Sequence, residues 1–130
     1  MKGTCIVAGA LWITVSATSA SAGCPVPPGV AQVALPSGLP AELSKAVGEI
    51  ALPGEPFDTT DVYVKGHKHQ RYLFVWHSGN RWIVAAEVGG IALRASVSVY
   101  DLSRKDRPLV EERMTVPSRA CAVATQLSGH

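Results

Sequence analysis

Apolar and polar residues alternate along the second half of the chain, and this pattern predicts an antiparallel β-sheet. From residue 61 onward the alternation has a period of two and is rich in Val, Ile, Tyr, Trp and Phe. The links between the apolar runs are short, which favours a meander because parallel pairing requires long crossovers. The predicted strands are 61–65, 70–77, 81–88, 91–100 and 109–116.

A Gly-Gly pair marks the turn between the third and fourth of these strands. Gly89 and Gly90 are typical of a two-residue hairpin loop. That loop places Ala86 opposite Leu93, so one face of the hairpin is apolar throughout.

The preceding turn, at Ser78, Gly79 and Asn80, fits a loop of either two or three residues. The three-residue loop is favoured because it pairs Trp76 with Trp82 and collects the aromatic side chains on one face. The other face then carries Arg71 opposite Glu87. The predicted core face comprises Tyr72, Phe74, Trp76, Trp82, Val84, Ala86, Leu93, Ala95, Val97 and Val99.

One helix is predicted, close to the N terminus. Pro40 suits a first helical turn, and Leu43, Val47 and Ile50 follow at spacings of four and three, which forms one apolar stripe. The predicted fold is α+β. An antiparallel meander of about four to five strands carries this N-terminal helix on one face, and a disulfide ties back the C-terminal segment.

The first 22 residues are typical of a cleaved export signal. Lys2 precedes an apolar run at 6–15, and Ala20, Ser21 and Ala22 fit the small-x-small cleavage pattern. The apolar run has about half of the roughly 20 residues that a membrane-spanning helix needs, so none is expected in the mature chain. The predicted organisation is a signal peptide at 1–22, an extended proline-rich segment at 23–40 and a single α+β domain at 41–130.

Export determines the interpretation of the cysteines. Cleavage after residue 22 removes Cys5 and leaves Cys24 and Cys121, an even number that predicts a disulfide in an oxidising compartment. The residues that precede Cys24 also resemble a bacterial lipoprotein cleavage box, except that Ser21 stands where a large aliphatic residue is usual. Acylation of Cys24 would leave Cys121 as a free thiol, so the disulfide is favoured.

The charge balance argues against a nucleic-acid partner. Without Lys2 the chain has 11 of its 12 Lys and Arg residues, against 10 Asp and Glu residues. Nucleic-acid binding needs a concentrated basic face.

The second face of the predicted sheet supplies the candidate binding residues. Its apolar members form a small patch of the kind that often marks a partner surface. One hypothesis is that its charged members converge, with two guanidinium groups around one carboxylate and a spare fork for a carboxylate or phosphate. The favoured interpretations are an ordinary ion-pair ladder, and a face covered by the proline-rich segment or by residues 120–127. The candidate ligand- or partner-binding residues are Arg71, Glu87, Arg94, Leu73, Val75 and Ile83.

The sequence KGHKHQR at 65–71 is predicted to be a solvated turn rather than a metal site. His67 and His69 are two residues apart, but a zinc site normally needs a third protein ligand. His77 is too far along the strand to serve as that ligand, and three cations within the stretch oppose a metal ion. No metal or cofactor is expected.

The sequence contains no nucleophile elbow, glycine-rich phosphate loop or metalloprotease helix, so no catalytic residue is assigned. The favoured function is a small exported, disulfide-stabilised, non-catalytic binding or interaction module of the cell envelope, periplasmic or secreted. Its expected partner is an envelope protein or a small anionic ligand.

Two alternatives remain open. The first is an enzyme whose site assembles only in three dimensions, with His69 or His77 as base and Glu87 or Asp61 as its partner. The second is an envelope lipoprotein with a structural role, anchored through Cys24.

Overall fold

The computed structural model describes residues 24–129, together with Gly3 and Gly9. The predicted signal peptide and its cleavage site therefore lie outside the described residues, apart from these two glycines.

Five antiparallel strands form one sheet in chain order, which confirms the predicted meander. The strands are β1 Ala31–Gln32, β2 Gln70–Ser78, β3 Arg81–Val88, β4 Arg94–Asp101 and β5 Leu109–Thr115. The helices are α1 Ala41–Val47 and α2 Ala120–Ser128, the latter preceded by a 3-10 turn at Pro117–Arg119.

The sheet is covered on both faces. Helix α2 packs on one of them, here called the α2 face, and α1 and its flanking segments pack on the other, the α1 face. The buried residues of the α2 face and its cover are Cys24, Phe74, Trp76, Ile83, Ala85, Ala95, Val97, Val99, Ala120, Ala124 and Leu127. Those of the α1 face are Val33, Leu43, Ile50, Tyr72, Val75, Trp82, Val84, Ala86 and Tyr100.

The prediction that the aromatic side chains share one face was wrong. Trp76 lies on the α2 face and Trp82 on the α1 face. The loop between them has two residues, because Ser78 pairs with Arg81 and Gly79 takes a φ of 59°. When both faces of a sheet are buried, burial does not favour one register over another. The three-residue loop was predicted on the assumption that only one face is buried.

A β-bulge at Leu73 brings Arg71 opposite Glu87 despite the shorter loop. Tyr72 pairs with Ala86, whereas Phe74 pairs with Ala85, so Leu73 is the extra residue. The predicted Arg71–Glu87 pairing is therefore observed, but it results from a bulge that the sequence analysis did not predict.

The predicted two-residue turn at Gly89 and Gly90 was also wrong. Val88 pairs with Arg94, so the loop spans residues 89–93. Leu93 consequently lies outside the sheet and is 41% exposed instead of belonging to the core. Gly89 is instead required for close packing, because a Cβ at this position would overlap the carbonyl group of Asp58.

The prediction of one N-terminal helix is confirmed only in part, because a second helix covers the other face of the sheet. The longer helix is the C-terminal α2, which buries Ala120, Ala124 and Leu127. Helix α1 has seven residues and buries Leu43. Alanine at two of the three buried positions gives α2 only a weak apolar pattern, so the sequence analysis described this region as a segment.

Residues 61–65 do not form the strand predicted there. They belong to an irregular loop whose base is a parallel bridge between Phe57 and Lys68. Ahead of this loop, Ala51 bonds both Gln70 and Tyr72 through its backbone and so covers the outer edge of β2.

Cys24 and Cys121 form the predicted disulfide, with their Cα atoms 5.5 Å apart and a sequence separation of 97. The bond joins the start of the described chain to α2. Within residues 24–129, neither helix has the length and apolar character that crossing a bilayer requires.

Candidate binding surface

Residues 59–67 form a loop that is closed at its base by backbone contacts. The N–H of Asp58 donates to the carbonyl of Lys68 at 2.8 Å, next to the Phe57–Lys68 bridge. Phe57 is buried below this base. The two ends of the loop are therefore held together by this hydrogen bond and this bridge.

The carboxylate of Asp58 fixes the same loop from inside. Its side chain is 1% exposed, and Oδ1 accepts a hydrogen bond from the N–H of Val64 at 3.1 Å. The Nδ1 atom of His69 lies 2.9 Å from Oδ2, without the alignment of a hydrogen bond, and Nδ1 of His67 lies 3.5 Å from Oδ1.

The 89–93 loop lies directly against the base of the 59–67 loop. The N–H of Gly89 donates to the carbonyl of His69 at 3.3 Å, and its Cα packs on the backbone of Asp58 and Thr59. Only a residue without a side chain permits this approach. The two loops thus form one unit at the end of the sheet where β2 and β4 begin.

Large apolar side chains are exposed on these two loops. Ile91 is 99% exposed, Tyr63 73% and Val62 67%. We call the following set the apolar tip: Val62, Tyr63, Val64, Ile91 and Leu93. Met114 and Val116 are exposed near the end of β5, at the same end of the sheet as the start of β4, whereas Leu109 and Val110 are exposed at the start of β5.

Cations lie beside the apolar tip. Lys65 and Lys68 belong to the first loop or its base, and Arg94 follows the second loop directly. Arg119 lines an open groove together with Arg94. Within residues 24–129 none of these four, here called the tip cations, makes a salt bridge.

Arg71, a predicted ligand-binding residue, is engaged within the protein. Its Nε and Nη2 both donate to Oε2 of Glu87, at 3.0 and 2.7 Å, and its Nη1 donates to the carbonyl of Glu55. The guanidinium carbon lies 4.5 Å from the ring centre of Phe57. These contacts use three of the five N–H donors of the guanidinium group and tie β2 to the segment before the loop.

Arg94 does not join this pair. It stands opposite Val88, and the strand partner of Glu87 is Ala95. The sheet register therefore assigns Arg94 and Glu87 to opposite faces. The hypothesised cluster of two arginines around one carboxylate does not form.

The three apolar candidates do not form an open patch. Val75 and Ile83 are buried, on the α1 face and the α2 face respectively, and Leu73 is the half-buried bulge residue. Both helices and the N-terminal segment contribute to this cover. Ligand binding by the six candidate residues stays a prediction.

The histidine–carboxylate pairs of the enzyme alternative do not occur as predicted. His69 contacts Asp58 instead of Glu87 or Asp61, and the ring of His77 stacks on Trp82 at 4.6 Å. The sequence analysis assigns no role to Asp58, and the only signal of its burial in the sequence is the neighbouring Phe57. Across residues 24–129, no group of three or more His, Cys, Asp and Glu side chains has the arrangement of a metal site.

Comparison of the chain with protein-family models, with curated proteins and with solved structures finds no match.

Proposed function

We propose that this protein is an exported, non-catalytic binding module that contacts its partner through the apolar tip and the tip cations. One observation carries the proposal. Both faces of the sheet are covered, yet five large apolar side chains remain exposed on two adjoining loops. Exposed apolar patches next to polar groups mark sites of interaction.

The fold itself does not require apolar side chains at these positions. Burial of a side chain such as Ile or Val stabilises a protein by about 1.5–3 kcal/mol, and this gain is absent where the side chain stays in water. Ile91, at 99% exposure, contributes none of it. Loop tips ordinarily carry polar or small residues, so an apolar tip indicates a role outside the folded chain.

The disulfide supports export. Bonds of this kind persist in oxidising compartments such as the periplasm and the extracellular space. The sulfur of Cys24 is bonded to Cys121 and is therefore not free to carry a lipid thioether. This supports an unanchored form over the lipoprotein alternative.

Arg94 is the predicted binding residue that fits this surface. It is exposed and lies next to Leu93 of the apolar tip. The Arg71–Glu87 pair has a structural role, since it stabilises β2, the strand that follows the 59–67 loop.

A binding experiment with matched variants tests the proposal. Immobilised protein is exposed to soluble and membrane fractions of an envelope preparation, and retained material is quantified. We expect Val62→Ser/Ile91→Ser to retain at least about tenfold less than the wild type, as loss of apolar anchors does at other interfaces. The control, Leu109→Ser/Val110→Ser, changes the exposed pair at the start of β5 and should retain as much as the wild type. Equal retention by the tip variant, or none by the wild type, would overturn the proposal.

A further inference from the structure

We infer that the partner of the apolar tip is the surface of an anionic lipid bilayer. This inference rests on the proposed function and specifies its partner. It is carried by the exposure of the tip side chains, by the charge around them, and by the way the two loops are held together.

The tip side chains protrude instead of lining a depression. Ile91 is almost fully exposed, and Val62 and Tyr63 come from a different loop. A rigid protein partner would need two separate pockets at matching positions, whereas the headgroup region of a bilayer accommodates several short protrusions. Tyr63 also suits that region, because its ring is apolar and its hydroxyl is polar.

The charge beside the tip complements anionic headgroups. The four tip cations are unpaired within residues 24–129. Over the two loops and their base, the formal charges of Lys65 and Lys68 balance those of Asp58, which is buried, and Asp61. Arg94 and Arg119 therefore give this end of the protein its net positive charge, and basic groups beside a membrane attract anionic lipids.

The loops present this surface as one preformed unit. Asp58 fixes the 59–67 loop from inside, and Gly89 holds the 89–93 loop against its base. Insertion of the apolar tip therefore does not require either loop to become ordered on binding. This lowers the entropic cost of binding and favours binding by these few side chains.

Vesicle flotation tests the inference. The disulfide-bonded protein, purified after export, is mixed with vesicles of phosphatidylcholine alone or with about one third phosphatidylglycerol, at low and high salt. We expect flotation with the anionic vesicles only, and its decrease at high salt. Val62→Ser/Ile91→Ser and Lys68→Gln/Arg94→Gln should each weaken it by about tenfold or more, whereas the control Leu109→Ser/Val110→Ser should leave it unchanged.

A fluorescence measurement locates the contact independently. Ile91→Trp places an indole at the tip, and its emission should shift to the blue with anionic vesicles because the ring leaves water. Val110→Trp, at the start of β5, should show no shift. The native Trp76 and Trp82 are buried, so they contribute a constant background.

The outcomes separate this inference from the proposed function. If vesicles are not bound but envelope proteins are still retained through the tip, the lipid partner is wrong and the binding module stands. If neither is bound, both proposals fail. Flotation that does not depend on the tip residues, or that is equal with neutral vesicles, would also overturn the inference.

Discussion

At the scale of a single residue, Asp58 shapes the candidate binding surface. Its buried carboxylate accepts the N–H of Val64 and lies between the imidazoles of His67 and His69. This buried acceptor links Val64, within the loop, to the base of the loop. It acts together with two local bonds inside the loop, from the N–H of His67 to the carbonyl of Val64 and from the N–H of Val62 to Oγ1 of Thr60.

Replacement of Asp58 by alanine should loosen the 59–67 loop. The N–H of Val64 loses a hydrogen bond to a carboxylate, and hydrogen bonds to charged groups contribute about 1.5–3 kcal/mol to the free energy of unfolding. Urea unfolding measures this loss, and amide hydrogen exchange should become faster across the loop. Asp61→Ala is the matched control, because Asp61 is exposed, and should change neither quantity. Unchanged exchange in Asp58→Ala would contradict the assigned role.

Two tyrosines on the α1 face should make the protein sensitive to alkali. Burial, and then the neighbouring Tyr100, raises the pKa of Tyr72. Burial and then Glu112 raise the pKa of Tyr100, against the opposing effect of a hydrogen bond with Ser98. In both cases the folded state favours the neutral phenol, so the associated stability is fully present below the unfolded pKa and is lost as pH rises through the folded values.

The free energy of unfolding should therefore fall above about pH 10, where the tyrosines of the unfolded chain ionise. Tyr72→Phe and Tyr100→Phe should each reduce the steepness of that fall, and the double variant should reduce it most. Tyr63→Phe is the control, because Tyr63 is exposed on the apolar tip and should leave the slope unchanged. Denaturant unfolding across the alkaline range provides the measurement.

At the scale of elements, the contact between the two loops depends on Gly89. A methyl group there would overlap the carbonyl of Asp58, so the loops would have to separate. We expect Gly89→Ala to lower the free energy of unfolding by about 1–3 kcal/mol, the usual effect of overpacking. Gly129→Ala is the matched control, since its φ is −80° and a Cβ there has room. Equal stability of the two variants would show that the loops do not need this contact.

The sequence predicts the central strands well but not their orientation. The predicted 81–88 has the same bounds as β3, and 70–77 is one residue shorter than β2, because bulky and β-branched side chains dominate both. Their two faces were misassigned because an alanine-rich helix covers the second one. Val62 and Val64 have the two-residue spacing of strand residues, although they lie in a loop. Their side chains are exposed, so this spacing does not reflect burial on one face of a sheet.

The candidate binding surface could be predicted only in part, and for a related reason. Arg94 was selected for a cluster with Arg71 and Glu87 that does not form, and the apolar tip joins residues about 30 positions apart in sequence through a contact at Gly89. The sequence alone does not distinguish a glycine that a turn requires from a glycine that close packing requires. Burial of Asp58 is likewise a consequence of tertiary structure.

At the scale of the whole molecule, the disulfide should supply much of the stability. It closes a loop of 97 residues, and the chain-entropy model gives about 4–5 kcal/mol for a loop of this length. Cys24→Ser/Cys121→Ser should lose about that much free energy of unfolding, measured by urea unfolding. The wild type under reducing conditions should match the variant. A loss well below about 2 kcal/mol would indicate that the unfolded chain is already compact.

The position of that bond has a consequence for how damage to the protein is detected. A protease that cuts once anywhere between Cys24 and Cys121 leaves two fragments that remain covalently joined. The cleaved protein would keep nearly its original mass on a gel run without reductant and would separate into two bands only after reduction. Any search for natural processing of this protein should therefore compare the two gel conditions side by side.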